Sequence, residues 1–325
     1  MVTSPTTSSS HDPMKKGIQI HHISKSYGNV KALEDLSLDI KGGELFGLIG
    51  PDGAGKTTLF RILTTLLLPD EGSASIGDWD VSKDLKAIRS HVGYMPGHFS
   101  LYQDLTVEEN LNFFATVFNT SIKENYDLIR HIYCQIEPFK QRKAGKLSGG
   151  MKQKLALCCA LVHRPDVLFL DEPTTGVDPV SRTEFWDMLE ELKRQGITIL
   201  VSTPYMDEAS RCDRIALIRE GKCLSVNTPS GIRNSFHHRL FAVKSDSMFP
   251  LLKDLRAYAA THTCFAFGDA HHLTLKQECI GRNNESTNNE KEIIEQLQKY
   301  LTGKGHKEIS ITPIAPSIED CFMLL

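Results

Sequence analysis

Apolar residues fall in short blocks separated by glycine- and proline-marked turns, and their period changes along the chain. Residues 17–23 and 33–40 alternate apolar and polar positions, which predicts two strands. Leu45-Phe46-Gly47-Leu48-Ile49 is an apolar run of the kind that forms a strand buried on both faces. Leu59, Ile62, Leu63 and Leu66 then fall on one face of a helix. Past the turn Pro69-Asp70-Glu71-Gly72, residues 73–76 and 92–96 predict strands, the second ending at Pro96. Residues 105–118 and 122–136 predict helices of a separate lobe, with Thr106 and Glu109 spaced as a capping box. Leu155, Cys158, Cys159 and Val162 repeat at helical spacing until Pro165. Val167-Leu168-Phe169-Leu170 reads as a further buried strand, and residues 217–223 as a closing hairpin.

The last third changes character. After a short helix at 228–236, strands are predicted at 240–244, 263–267, 271–276 and 308–312, and helices at 250–260 and 291–301. This βαββαβ-like order suggests a small α+β accessory domain without a catalytic constellation. It is read either as a regulatory or dimer-contact module or as a passive appendage. The expected division is a disordered Ser/Thr/Pro-rich lead over 1–14, a nucleotide-binding domain over 15–244 and the accessory domain over 245–325. Residues 281–289 are Asn-rich and read as a flexible loop.

Composition narrows the function. A net charge of −3 gives no case for a nucleic-acid-binding protein. The eight cysteines include no Cys-x-x-Cys pair, so neither a zinc site nor a disulfide framework is suggested. No apolar stretch approaches the length of a membrane span, and the lead lacks the apolar core of a signal peptide. The chain reads as cytosolic, with any membrane role coming through a partner.

The chemistry sits at three places. Gly50-Pro51-Asp52-Gly53-Ala54-Gly55-Lys56-Thr57-Thr58 lies between a predicted strand and a predicted helix, which is the Walker A pattern in its confirming context. The glycines turn backbone N–H groups toward one point, and the helix's positive end faces the same point, so a polyphosphate is held there. Lys56 is placed for the β- and γ-phosphates and the Thr57 hydroxyl for Mg²⁺. Asp52 sets a carboxylate near those phosphates, which is unfavourable unless its side chain points away. Leu147-Ser148-Gly149-Gly150-Met151 opens a helix and forms either a second anion site or an ordinary capped start. Asp171-Glu172 ends an apolar strand and looks like Walker B. Asp171 would then bind Mg²⁺ through water and Glu172 polarise the attacking water. Tyr27, upstream of the glycine loop, is either a base-stacking residue or a strand-edge aromatic. Paired histidines at 21–22, 237–238 and 271–272, and His98, read as loop or strand-face residues.

Together these residues resemble the ATP-binding subunits of ABC transporters over residues 17 to about 244. Walker A, the Leu-Ser-Gly-Gly signature and Walker B occur in that family's order, with Tyr27 at the adenine-stacking position and Asp178 at the D-loop position. The phrase from Asp171 to Pro179 and the ending Pro316-Ser317-Ile318-Glu319-Asp320-Cys321-Phe322 are similar to ABC-2-class multidrug and daunorubicin-resistance-like exporters. The resemblance implies an α/β P-loop NTPase fold with an antiparallel β subdomain and a helical lobe, ATP and Mg²⁺ as cofactors, and membrane-spanning permease partners. It implies peripheral attachment to the inner face of the cell membrane. It also implies head-to-tail pairing of two ATPase domains, with ATP held between the Walker A of one and the signature of the other. Residues 97–104 would receive a permease helix.

Two positions depart from the family pattern. Gly97 stands where a Gln senses Mg²⁺ and water, and Pro204 stands where the switch His is expected. Binding is expected to survive and turnover at this chain's own Walker site to be slow. The intact signature would serve a partner, which favours a heterodimer over a homodimer. The alternatives are a nucleotide-binding structural subunit without turnover and a non-transport ABC ATPase acting on DNA or ribosomes.

Overall fold

The computed structural model describes residues 17–276 and 287–325. The expected lead, and residues 281–286 of the Asn-rich stretch, lie outside the described residues. Residues 287–289 of that stretch open a helix.

Two compact units divide between Pro229 and Ser230. The first unit runs in order through β1 (Ile18–Tyr27), β2 (Val30–Ile40), β3 (Leu45–Ile49), α1 (Lys56–Leu63), β4 (Glu71–Ile76), β5 (Trp79–Asp80), α2 (Leu85–His91) and β6 (Val92–Met95). It continues through α3 (Val107–Val117), α4 (Tyr126–Tyr133), α5 (Gly149–Leu161), β7 (Val167–Asp171), α6 (Pro179–Arg194), β8 (Thr198–Thr203), β9 (Arg214–Arg219) and β10 (Lys222–Asn227).

A four-stranded antiparallel sheet has the order β2-β1-β4-β5, and a six-stranded sheet the order β10-β9-β3-β8-β7-β6. In the six-stranded sheet β9, β3, β8, β7 and β6 are mutually parallel and β10 closes one edge antiparallel. β3, β7 and β8 are buried at every position, and β3 and the first four residues of β7 accordingly read as apolar runs, whereas β8 carries Thr198, Ser202 and Thr203 among its buried residues. Leu59, Phe60, Ile62 and Leu63 of α1 share one apolar cluster with Ile18, Ile20 and Ile23 of β1 and with Phe169 of β7. The Phe60 and Phe169 rings meet at 5.8 Å. The β3–α1 connection is thereby fixed at the carboxyl ends of the parallel strands, where open α/β sheets bind ligands.

The helical lobe follows the sequence closely at one end. Thr106 caps α3, its hydroxyl accepting from the Glu109 N–H while the Glu109 carboxylate accepts from the Thr106 N–H. α4 begins at Tyr126, later than the apolar pattern from Ile122 suggests, because the main chain turns at 121–124 and Asn125, at the N-cap position, donates its side-chain amide to Thr120 and Val162 O. A main-chain strip ties the entry of α3 to the approach of α5. The Gly145 N–H donates to Gln103 O at 2.9 Å, Ala144 to Leu105 at 2.8 Å, Val107 to Arg142 at 3.0 Å and Glu108 to Lys140 at 3.0 Å.

The second unit is a four-stranded antiparallel sheet of order β12-β13-β11-β14, from β11 (Leu240–Lys244), β12 (Thr261–Phe267), β13 (Ala270–Leu275) and β14 (Ser310–Pro313). Helices Met248–Ala257 and Thr287–Gly303 contribute Leu251, Leu255, Leu297 and Leu301 to its core. This is the predicted βαββαβ order. The division nevertheless precedes 240–244 instead of following it, because β11 is hydrogen-bonded to both β13 and β14 and belongs to this sheet. His271 and His272 are strand residues of β13. His271 Nε2 lies 2.7 Å from Met248 O, and His272 Nδ1 lies 2.7 Å from the Asp320 carboxylate.

Candidate nucleotide site

The loop between β3 and α1 is shaped by close backbone approaches. Gly55 has φ near 100°, and a Cβ there would lie 2.2 Å from Ala32 O, so only glycine fits. Pro51, Asp52 and Gly53 are exposed, Ala54 is buried, and Thr57 and Thr58 are half-buried on the first turn of α1. Asp52 is therefore at the open side of the loop, where solvent screens its charge.

Lys56 is 3% exposed and its ammonium is fully engaged. It donates to Gly50 O at 2.7 Å and Pro51 O at 2.9 Å, and it pairs with Glu172 Oε1 at 3.1 Å. The two Walker motifs, far apart in sequence, are thus brought together. Strand register does this: Ile49 pairs with Thr203, and Ser202 with Asp171, so β8 bridges β3 and β7.

Glu172 stands just past β7 with φ near 49°, a left-handed conformation unusual for a residue with a side chain. Its N–H donates to both Ser202 O (3.1 Å) and Ser202 Oγ (3.0 Å). The Thr175 hydroxyl donates to its Oε2 at 3.4 Å. Strain of this kind costs about 1–3 kcal/mol and persists where neighbouring bonds over-determine the backbone. Asp171 is 2% exposed and accepts from the Ser202 hydroxyl at 2.7 Å. Burial of the neighbouring Tyr94 phenol pushes its pKa up to about 12, with the Asp171 charge as the smaller cause.

The donor set fits a hydrated divalent cation beside a polyphosphate. A buried carboxylate with one oxygen already held, and a hydroxyl on the first turn of α1, are hard oxygen ligands of the kind Mg²⁺ takes. Asp171 and Thr57 are the residues that would hold it, and the cation would supply charge neutralisation at the phosphates.

Gly97 and Pro204, the two positions expected to depart from the resembled pattern, both lie beside these residues. A Cβ on Gly97 would sit 3.1 Å from Asp171 O, so position 97 borders Walker B directly. Pro204 follows Thr203, whose carbonyl accepts from the Gly50 N–H at 3.4 Å. Proline there offers neither a side-chain donor nor an N–H. Thr203 is held by Glu208, 4% exposed, which also accepts from Thr174 (2.8 Å) and Arg182 (3.0 Å).

The signature lies on another element. Ser148 caps α5, its Oγ accepting from the Met151 N–H at 3.4 Å. Ser148 and Gly149 are exposed, Gly150 is buried and Met151 half-buried. Leu147 is buried and anchors the turn. Gly150 packs against Ser181 at the start of α6, where a Cβ would meet the Ser181 hydroxyl at 2.7 Å. Asp178 caps α6 by accepting from the Ser181 N–H at 3.0 Å, and that bond holds its carboxyl below the usual range. Tyr27 is exposed at the end of β1. Cys158 and Cys159 are buried, and burial raises both thiols. The sequence reading did not single out Ser202, Thr203 or Glu208 as site residues. The register of three parallel strands brings Ser202 and Thr203 to the Walker residues, and Glu208 reaches them through its bonds to Thr203 and Thr174. The one local signal was the place of Ser202 and Thr203 at the end of the strand leading to Pro204; Glu208 follows in the short helical turn Met206–Arg211.

Comparison with known proteins is consistent with this geometry. The ABC transporter family model matches residues 33–175. The chain is 46% identical over 297 residues to the probable multidrug ABC transporter ATP-binding protein YbhF of Escherichia coli (strain K12), covering 90% of this chain and 48% of that protein. It therefore spans about half the length of that curated relative. It is 40% identical over 221 residues to the Nod factor export ATP-binding protein I of Burkholderia orbicola (strain AU 1054), covering 67% of this chain and 73% of that protein. Among solved structures, an ATP-binding subunit of an ABC transporter aligns with a TM-score of 0.61 at 29% identity, over 67% of this chain and 92% of that one. The cassette MJ0796 in a dimeric post-hydrolysis state with ADP and Pi aligns at 0.59 and 26% identity, over 65% of this chain and 98% of that one.

Proposed function

We infer the role of this chain from one premise: it belongs to the ATP-binding proteins of ABC transporters. It binds Mg²⁺–ATP at Lys56, Thr57 and Asp171, with Glu172 as the residue that polarises water. It serves an ABC-2-type exporter, in keeping with the multidrug and Nod-factor export names of its relatives. Membrane-spanning permease subunits bring it to the inner face of the membrane. None of its described helices is long and apolar enough to cross a bilayer.

It works in an asymmetric pair with a second, non-identical ATPase domain. The observation that carries this is the contrast between its two half-sites. Gly97 and Pro204 border the Walker residues without side chains to position water, while Ser148-Gly149-Gly150 is complete and its first two residues are exposed. A homodimer would place the two defects in both composite sites. The multidrug relative leaves about half of its length unmatched, room for another domain of this size.

The test is the ATPase rate of the complex reconstituted with its partner domain. Ser148→Arg is expected to reduce turnover more than Glu172→Gln, because it blocks the complete site while the other removes a group from the weak one. Greater damage from Glu172→Gln, or fast turnover by the chain alone, overturns the asymmetric reading.

A further inference from the structure

Ser202 has no packing reason to be polar. It is fully buried on β8, a strand with both faces covered, where a branched aliphatic residue is the usual occupant. Its hydroxyl makes two bonds, and both go to Walker B. It donates to Asp171 Oδ1 at 2.7 Å and accepts from the Glu172 N–H at 3.0 Å.

We infer that Ser202 is a positioning residue that sets both Walker B carboxylates with one hydroxyl, and that Mg²⁺ affinity with bound ATP depends on it. The donation fixes the rotation of the buried Asp171 carboxylate and leaves its second oxygen for a hydrated cation. The acceptance helps hold Glu172 in its left-handed backbone conformation, which decides where that carboxylate goes. The two bonds need an O–H that gives and a lone pair that receives, so serine or threonine suffices and no aliphatic residue does. This rests on the Mg²⁺–ATP reading of the site. Partners of metal ligands of this kind typically shift metal affinity ten- to a hundredfold when removed.

The experiment titrates Mg²⁺ into the full chain with a fluorescent ATP analogue carrying an N-methylanthraniloyl ribose, and reads binding without reference to turnover. Ser202→Ala and Ser202→Val are expected to need roughly tenfold more Mg²⁺ for half-maximal binding. Ser202→Thr, which differs from the valine variant only in keeping the hydroxyl, is expected to match the parent. In EDTA all four proteins should bind the analogue equally. A parent-like Mg²⁺ requirement in the alanine and valine variants overturns the proposal. So does equal weakening with and without Mg²⁺, the mark of a structural role. Parent binding that ignores Mg²⁺ altogether instead overturns the cation reading on which the proposal stands.

Discussion

Glu172→Gln on the isolated chain should move nucleotide affinity and turnover in opposite directions. The ammonium of Lys56 is shared among Gly50 O, Pro51 O and Glu172 Oε1 at 2.7, 2.9 and 3.1 Å. To reach phosphates it must give up the carboxylate. At 3.1 Å and an effective dielectric of 20, the bare attraction is about 5 kcal/mol. Glu172 is 22% exposed, and the desolvation of both groups offsets much of that attraction, leaving a net of about 1–2 kcal/mol. Glutamine keeps a carbonyl acceptor but drops the charge, which also removes its repulsion of the phosphates. Affinity for ATP should rise about five- to thirtyfold. Turnover should fall, because no carboxylate remains to polarise water. A fluorescent-nucleotide titration beside a phosphate-release assay reads both. Unchanged or weaker ATP binding in the variant would refute the competition between Glu172 and phosphate for Lys56.

Three further outcomes follow from the same structure. Lys56→Ala should abolish Mg²⁺–ATP binding, measured by titration calorimetry, since it removes the charge aimed at the phosphates and orphans two loop carbonyls; unchanged affinity would contradict the Walker A assignment. Phe99→Glu should uncouple transport while sparing ATP binding, because Phe99 lines a cavity of 170 Å³ with Phe114, Phe118 and Gln153 at the expected docking segment. Leu101 is a poorer probe, being buried, so a charge there would unfold the segment. His163 stacks on Phe118 at 3.7 Å, and burial lowers its pKa from 6.5 to about 4, so the unfolded chain binds the extra proton between those values. Stability should therefore fall as pH drops from 6.5 toward 4, by up to about 3 kcal/mol, and His163→Gln should flatten that slope in denaturant titrations.

What could be read in advance was local chemistry. The glycine loop, the capping box at Thr106 and Glu109, the Ser148 helix start and the apolar run into Asp171 each carry their instruction within a few residues. α2 escaped notice because it is short and Asp84 makes no side-chain cap. The start of α4 was set by a turn that apolar spacing does not encode. The Lys56–Glu172 pair and the Ser202 bridge were illegible for a different reason. They depend on which strands become neighbours, and the order β3-β8-β7 departs from chain order. The accessory sheet shows the same limit. Its strands and two core helices were placed by pattern, while the membership of β11 came from its hydrogen-bond partners.

The strip that ties 103–108 to 140–145 is written in main-chain atoms. Its bonds use no side chain, so apart from Thr106, which caps α3, and proline at the four donor positions, the stretch can change composition while its register is held. One added residue on either side would carry every later donor past its acceptor. Insertions are therefore accommodated outside the strip, before Gln103, between Glu108 and Lys140, or past Gly145. What is left free is spelling and not spacing: substitution can act within the strip, and added length must settle in the loops outside.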